Sequence, residues 1–170
     1  MLKKIAIVLI FLVLVCLALY KLPWTTKVDK TIEGVECRIG DNDYLDNVTI
    51  SIKGIYKNYL FKNDTFEGTI EIDKYDFTKN GASVILEFLD GAGALTYNNF
   101  RNGEPDLDSL GRIFCNPAFD KVLIFVCEPI AADSSSWSAD NGLFISAPSA
   151  TREEAIEIPK AFSDWSKWIH

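Results

Sequence analysis

Residues 47–53 read Asn-Val-Thr-Ile-Ser-Ile-Lys. In an extended chain Val48, Ile50 and Ile52 share one face and Thr49, Ser51 and Lys53 the other, because successive strand side chains point to opposite sides. β-Branched residues fill the apolar side and suit a pleated, half-buried surface. The stretch therefore predicts a strand with one face on a core and one in water. The same period returns in residues 66–73 (FEGTIEID), with Phe66, Gly68, Ile70 and Ile72 inward and Glu67, Thr69, Glu71 and Asp73 outward. Gly68 on the inward face predicts a large neighbour packed over it, or a bulge. Between the two runs, Gly54 precedes IYKNYLF, in which Tyr56 or Leu60 is expected to face the core, and Lys62-Asn63-Asp64 reads as a turn.

Further strands are predicted at residues 83–89 (SVILEFL), 94–97 (ALTY), 111–115 (GRIFC), 121–128 (KVLIFVCE) and 143–147 (LFISA). The unbroken apolar run within 121–128 fits a strand covered on both faces. Asp140-Asn141-Gly142 is a hairpin-turn signal flanked by Trp137 and Leu143. The period then lengthens. Ser149 or Thr151 can cap a helix, Thr151 and Glu154 have capping-box spacing, and Glu153 and Glu154 suit the positive end of the helix dipole. Ala155, Ile158, Phe162, Trp165 and Ile169 form one helical stripe, which predicts a helix over 152–168 covering a face or end of the sheet. Pro159 predicts a kink or a break in it. The fold class that follows is mainly β (α+β): an antiparallel sandwich or partial barrel of about eight strands with one C-terminal helix.

The chain begins Met-Leu-Lys-Lys and then runs apolar without interruption from Ile5 to Leu19. With Tyr20 and Leu22 around Lys21, the run is near the shortest that spans a bilayer. Lys3 and Lys4 carry the charge that keeps a flank in the cytoplasm, while Tyr20 and Trp24 suit the far interface. A cleaved signal needs a small-x-small site, and CLALYKLPW offers only Ala18 beside Cys16. A lipid-attachment signal wants a small residue before its cysteine, where Val15 stands. Residues 1–22 are thus read as an uncleaved anchor, with secretion after cleavage as the alternative. Residues 23–33 are read as a polar stalk, and residues 34–170 as one extracytoplasmic domain.

The 170 residues carry a net charge of −7; without Lys3, Lys4 and Lys21 the remainder stands at −10. Such a domain is repelled by phosphate backbones, so nucleic acid is not expected as a partner. Three cysteines, Cys37, Cys115 and Cys127, lie outside the apolar run, and an odd number cannot all pair. They are expected to be small buried residues.

Catalytic motifs are missing from the sequence. Its one histidine, His170, is the last residue, and HExxH, CxxC, GxSxG, P-loop and GxGxxG patterns do not occur. No cofactor is expected. Asp41, Asp43 and Asp46 resemble the start of a Ca²⁺ loop, but Asp46 stands where the loop's glycine belongs and Ile52 where its glutamate belongs. Glu104, Asp106 and Asp108 form a second acidic turn; both clusters are weak metal candidates whose simpler reading is solvated turns. Residues 90–103 (DGAGALTYNNFRNG) combine glycines with Tyr97, Asn98, Asn99, Phe100 and Arg101, a composition suited to a glycan or peptide. Trp137 in SSSWSADNG raises the same prospect.

The N-terminal anchor, LPWTT, NVTISIKGIYKNYLF, FEGTIEID and FISAPSATREEA together resemble small exported, membrane-anchored proteins of Gram-positive bacteria. That resemblance implies an extracytoplasmic domain tethered to the cell membrane, and it assigns no active-site residue. The expected function is a membrane-tethered binding or sensing domain without enzymatic activity, held to the cytoplasmic membrane through residues 5–22, with an envelope protein or glycan as partner. A cell-envelope hydrolase working through carboxylates, and an accessory subunit of a membrane complex, are the alternatives.

Overall fold

A computed structural model of the protein describes residues 2–79, 81–101, 104–131 and 134–162. A helix α1 (Leu2–Lys21) is followed by β1 (Trp24–Arg38), β2 (Asp41–Asn58), β3 (Asp64–Ile72), β4 (Ser83–Leu89), β5 (Ala92–Arg101), β6 (Glu104–Cys115) and β7 (Val122–Val126). A short ribbon of β8 (Glu128–Ala131) and β9 (Ser134–Ser136) precedes β10 (Leu143–Ala147) and a helix α2 (Arg152–Glu157). β1–β7 and β10 form one closed antiparallel barrel, and each strand pairs with its neighbour in chain order once the β8–β9 ribbon is set aside.

The sheet therefore closes, where the sequence left a sandwich or a partial barrel open. β1 brings this about. Its last residues pair on both sides at once, Val35 with Asn47 of β2 and with Ser146 of β10. Closure pairs β1 on both sides over Val35–Arg38, while its earlier residues pair with β2 alone. Eight strands enclose an interior that side chains can fill, and Ile50, Ile52, Phe66, Ile70, Leu86, Leu95, Tyr97, Ile113 and Phe119 lie there fully buried.

The alternation of residues 47–53 and 66–73 holds as read, with Val48, Ile50, Ile52, Phe66, Ile70 and Ile72 all buried. Gly54 does not end a strand; β2 runs through it, and it pairs with Gly68 of β3. A Cβ on Gly68 would lie 2.1 Å from the Lys53 carbonyl oxygen, and one on Gly54 would lie 2.7 Å from the Phe66 ring. The two strands approach too closely for any side chain there, and Phe66 covers the gap. Tyr56 faces the core and Leu60 does not.

Of residues 23–33, expected to be a stalk, all from Trp24 onward belong to the barrel and pair with β2, beginning at Trp24↔Asn58. Their polar character misled because the outward face of this stretch is in water, with only Val28 of residues 24–33 buried. The expected anchor is helical from Leu2 to Lys21. Among the described residues no helix is long and apolar enough to cross a membrane.

β7 is buried at every residue, as its unbroken apolar run predicts. Val122, Ile124 and Val126 point into the barrel, while Leu123 and Phe125 join an outer cluster with Val35, Cys37, Phe114, Phe144, Ala155 and Ile158. α2 packs on that outer cluster. Thr151 caps it by accepting from the Glu154 amide at 3.3 Å, and the Glu154 carboxylate reaches back to the Ala150 amide at 2.7 Å. Pro159 ends α2 and opens a single 3-10 turn, Pro159–Ala161. The remainder of the expected helix, with Trp165 and Ile169, lies outside the described residues.

The turn at residues 140–142 is not a hairpin of the expected type. Neither Asn141 nor Gly142 has a positive φ, and β9 pairs with β8 rather than β10. The Gly142 amide bonds back to the Ser138 carbonyl at 2.8 Å, and the Trp137 indole N–H donates to the Leu143 carbonyl at 2.9 Å.

Candidate functional site

β1 runs away from α1, so its last residues lie at the far end of the barrel. Even-numbered residues of β1 face inward there, and the alternation that buries Val28 carries Glu36 into the interior with no solvent exposure. A buried carboxylate is costly unless its oxygens are bonded and its charge is met. Tyr44 donates to Oε1 of Glu36 at 2.7 Å, Lys74 donates to the same oxygen at 2.7 Å, and Tyr75 donates to Oε2. Lys74 also donates to the Tyr44 hydroxyl at 2.9 Å and to Asp46. Burial and then the bond to Glu36 push the Tyr75 hydroxyl well above the usual tyrosine range. Burial alone would lower Lys74, but its bonds to Asp46, Glu36 and Tyr44 outweigh it and hold the ammonium above its ordinary value. Arg38 grips Glu128 with both terminal nitrogens, at 2.7 and 3.0 Å, and holds it below the ordinary glutamate value. Glu36 with its three donors is a satisfied polar plug, sealed from solvent.

A different arrangement lies outside the barrel, between α2 and the outer faces of β7 and β10. A cleft of about 210 Å³ is lined by Ile39, Gly40, Phe125, Phe144, Arg152, Ile156 and Pro159. Apart from Arg152 the lining is apolar. Nη2 of Arg152 donates to the Arg38 carbonyl at 2.8 Å, whereas Nη1 is buried and has no hydrogen-bond partner. A buried donor left unmade costs about 1–3 kcal/mol, and more when charged. The guanidinium also meets the neighbouring Cys37 thiol: burial pushes the thiol up, and the charge of Arg152 and a side-chain hydrogen bond from it draw it back down. Trp137 stacks on the Phe125 ring at 4.2 Å and braces that wall of the cleft.

The residues singled out in the sequence are scattered. Tyr97 is fully buried, with its hydroxyl donating to the Ile70 carbonyl at 2.8 Å and its ring edge-on to Phe77. Its ring is core, because the inward face of β5 takes alternate residues. Asn98 is exposed, and Asn99 is partly buried, donating to the Phe77 carbonyl at 3.0 Å and to Asp108 at 2.8 Å. Phe100 and Arg101 pair with Pro105 and Glu104 along the backbone, and their side chains lie outside the description. Trp137 touches the cleft's wall without lining it.

Asp41 accepts from the amides of Asp43 and Tyr44 at 3.0 and 3.2 Å, an Asx turn. Asp43 is exposed, and Asp46 is bound to Lys74. Glu104, Asp106 and Asp108 sit on β6 opposite Arg101, Asn99 and Tyr97. Among the described residues no three His, Cys, Asp or Glu side chains are gathered as a metal ion would need. Cys37, Cys115 and Cys127 are free thiols, and Cys115 faces Val122 rather than Cys127.

Two groups escaped the sequence reading. Extending the alternation of β1 from Val28 through Ile32 would have placed Glu36 inside the barrel. Arg152 carried no such signal, since it reads as an ordinary first residue of a capped helix. No protein-family model, no curated protein and no solved structure matches this chain.

Proposed function

We propose that this protein is a membrane-tethered, extracytoplasmic, non-enzymatic binding domain whose cleft beside Arg152 takes a small apolar group ending in a carboxylate. The observation that carries the reading is an apolar cleft whose one charged lining residue is Arg152, with one terminal guanidinium nitrogen that meets no oxygen acceptor of the protein. A carboxylate oxygen supplies that acceptor with a charge-assisted bond, and an aromatic or short aliphatic body fills the space between Phe125, Phe144 and Ile156. The volume is below that of a drug-sized site, which favours a compact ligand or a single terminal residue of a peptide.

Binding is favoured over hydrolysis by the state of the acids. Glu36 is the one fully buried acid among the described residues, and both of its oxygens are already bonded. Tethering is supported by Lys3 and Lys4 ahead of the apolar run and by the resemblance to anchored exported proteins.

Calorimetry of the full chain in nanodiscs tests the reading, with 3-phenylpropanoate as probe and its uncharged alcohol as comparator. The acid is expected to bind at least about tenfold more tightly than the alcohol, since a hydrogen bond to a charged group is worth about 1.5–3 kcal/mol. Arg152→Met is expected to erase the difference. Equal affinity for acid and alcohol in the unaltered protein would overturn the proposal.

A further inference from the structure

We infer, on the anchored reading just given, that the barrel end beside α1 rests on the lipid surface through the loop between β2 and β3. α1 ends at Lys21 and β1 begins at Trp24, so Leu22 and Pro23 alone separate them. Two extended residues reach about 7 Å. A bilayer that holds α1 therefore meets this end of the barrel with no stalk between.

The loop of residues 59–63 is built for such a meeting. Its tip presents Leu60 at 51% and Phe61 at 63% exposure, beside Leu22 at 67% and Trp24 at 57%. Turns are ordinarily made from Gly, Asn, Asp, Ser or Pro, and large apolar side chains at a tip have nothing in the barrel to bury them. The loop is also fixed at its base. Asp64 accepts from the Tyr56 hydroxyl at 3.0 Å, the Asn58 side chain at 2.8 Å and the Tyr59 amide at 2.9 Å, leaving the two apolar residues outside that closure.

Contacts continue from the loop into the helix. The Phe61 ring stacks on Tyr20 at 6.0 Å, and the Lys62 ammonium lies 5.4 Å from the Tyr20 ring and 5.9 Å from that of Tyr59. Tyr20, Trp24 and Tyr59 are amphipathic rings, and Lys62 has a long apolar stem with a charged head. These are the residues that settle at headgroup level, with Leu60 and Phe61 as the apolar part beneath. The domain as a whole is acidic, so attraction to the bilayer comes from this apolar tip rather than from net charge. The occupant is thus the interfacial layer of the same bilayer that holds α1.

Residue-resolved NMR on the full chain in nanodiscs of phosphatidylcholine and phosphatidylglycerol decides the matter. The probe is a lipid carrying a nitroxide high on its acyl chain. Amide signals of Leu60 and Phe61 are expected to broaden as strongly as that of Trp24, while that of Ile130, exposed on the ribbon after β7, stays sharp. Broadening at Trp24 without broadening at Leu60 and Phe61 would overturn the docking and leave the anchor standing. No broadening at any of the three would overturn both.

Discussion

Arg152 donates from Nη2 to the carbonyl oxygen of Arg38 at 2.8 Å, tying the first residue of α2 to the last of β1. The same guanidinium leaves Nη1 buried without an acceptor. One half of the group is structural, and the other half is the part that a bound acceptor would meet. Arg152→Met loses the charge-assisted bond to Arg38, about 1.5–3 kcal/mol, and gains a similar amount, about 1–3 kcal/mol, from relief of the unmet donor. The variant is expected to unfold in urea within about 1 kcal/mol of the parent protein while losing its preference for carboxylates. A loss above about 3 kcal/mol would make Arg152 a structural residue instead.

The plug at the far end behaves in the opposite way. Lys74→Met leaves Glu36 buried without its cation, and breaking one side of a buried ion pair costs about 3–5 kcal/mol. Lys74 is itself partly exposed, so about 3 kcal/mol is expected from urea denaturation. A change below about 1 kcal/mol would show that Tyr44 and Tyr75 alone suffice to hold Glu36.

The same cluster sets an alkaline limit. Lys74 and Tyr75 both bind their protons more tightly in the folded protein than in the unfolded chain. Their contribution is fully present below their unfolded values, about 10, and is lost as pH climbs above them and through the folded values. Stability is therefore expected to fall from about pH 10 upward, and more shallowly in Tyr75→Phe. Equal slopes for the two proteins would remove Tyr75 from the account.

Gly68 tests the geometry of the barrel wall. An added Cβ would meet the Lys53 carbonyl oxygen at 2.1 Å and the Gly54 Cα at 2.6 Å, backbone atoms that cannot turn aside. Gly68→Ala is expected to cost about 3 kcal/mol, the upper part of the overpacking range. Gly81, which has open space around its Cβ position, is the contrasting site: its φ of +73° makes alanine strained there without any clash. A Gly68→Ala protein as stable as its parent would contradict the close pairing of β2 and β3.

The strands were legible where one face met the core and the other met water, as in residues 47–53 and 66–73. Period two states both facts at once. The same rule made residues 24–33 look like a stalk, because β1 runs with polar residues toward solvent and few buried partners until Gly34. Closure of the barrel was not legible, since it depends on Val35 finding Ser146 more than a hundred residues away. Tyr97 read as a contact residue because its loop composition resembled a binding surface, yet its position on β5 faces it inward. The cleft lay beyond reach for a related reason. Ile39, Phe125, Phe144 and Ile156 come from four separate parts of the chain, and only the packing of α2 brings them to Arg152.

The central claim is that Arg152 and the apolar cleft act together on a carboxylate. The most direct measurement is an NMR titration of the isotopically labelled full chain with 3-phenylpropanoate, following the Arg152 side chain, the Phe125 and Ile156 signals and the Trp137 indole. The account predicts saturable shifts at all four, with a common dissociation constant. Saturable shifts that leave Arg152 and Phe125 unmoved, or no saturable shift at all, would contradict it.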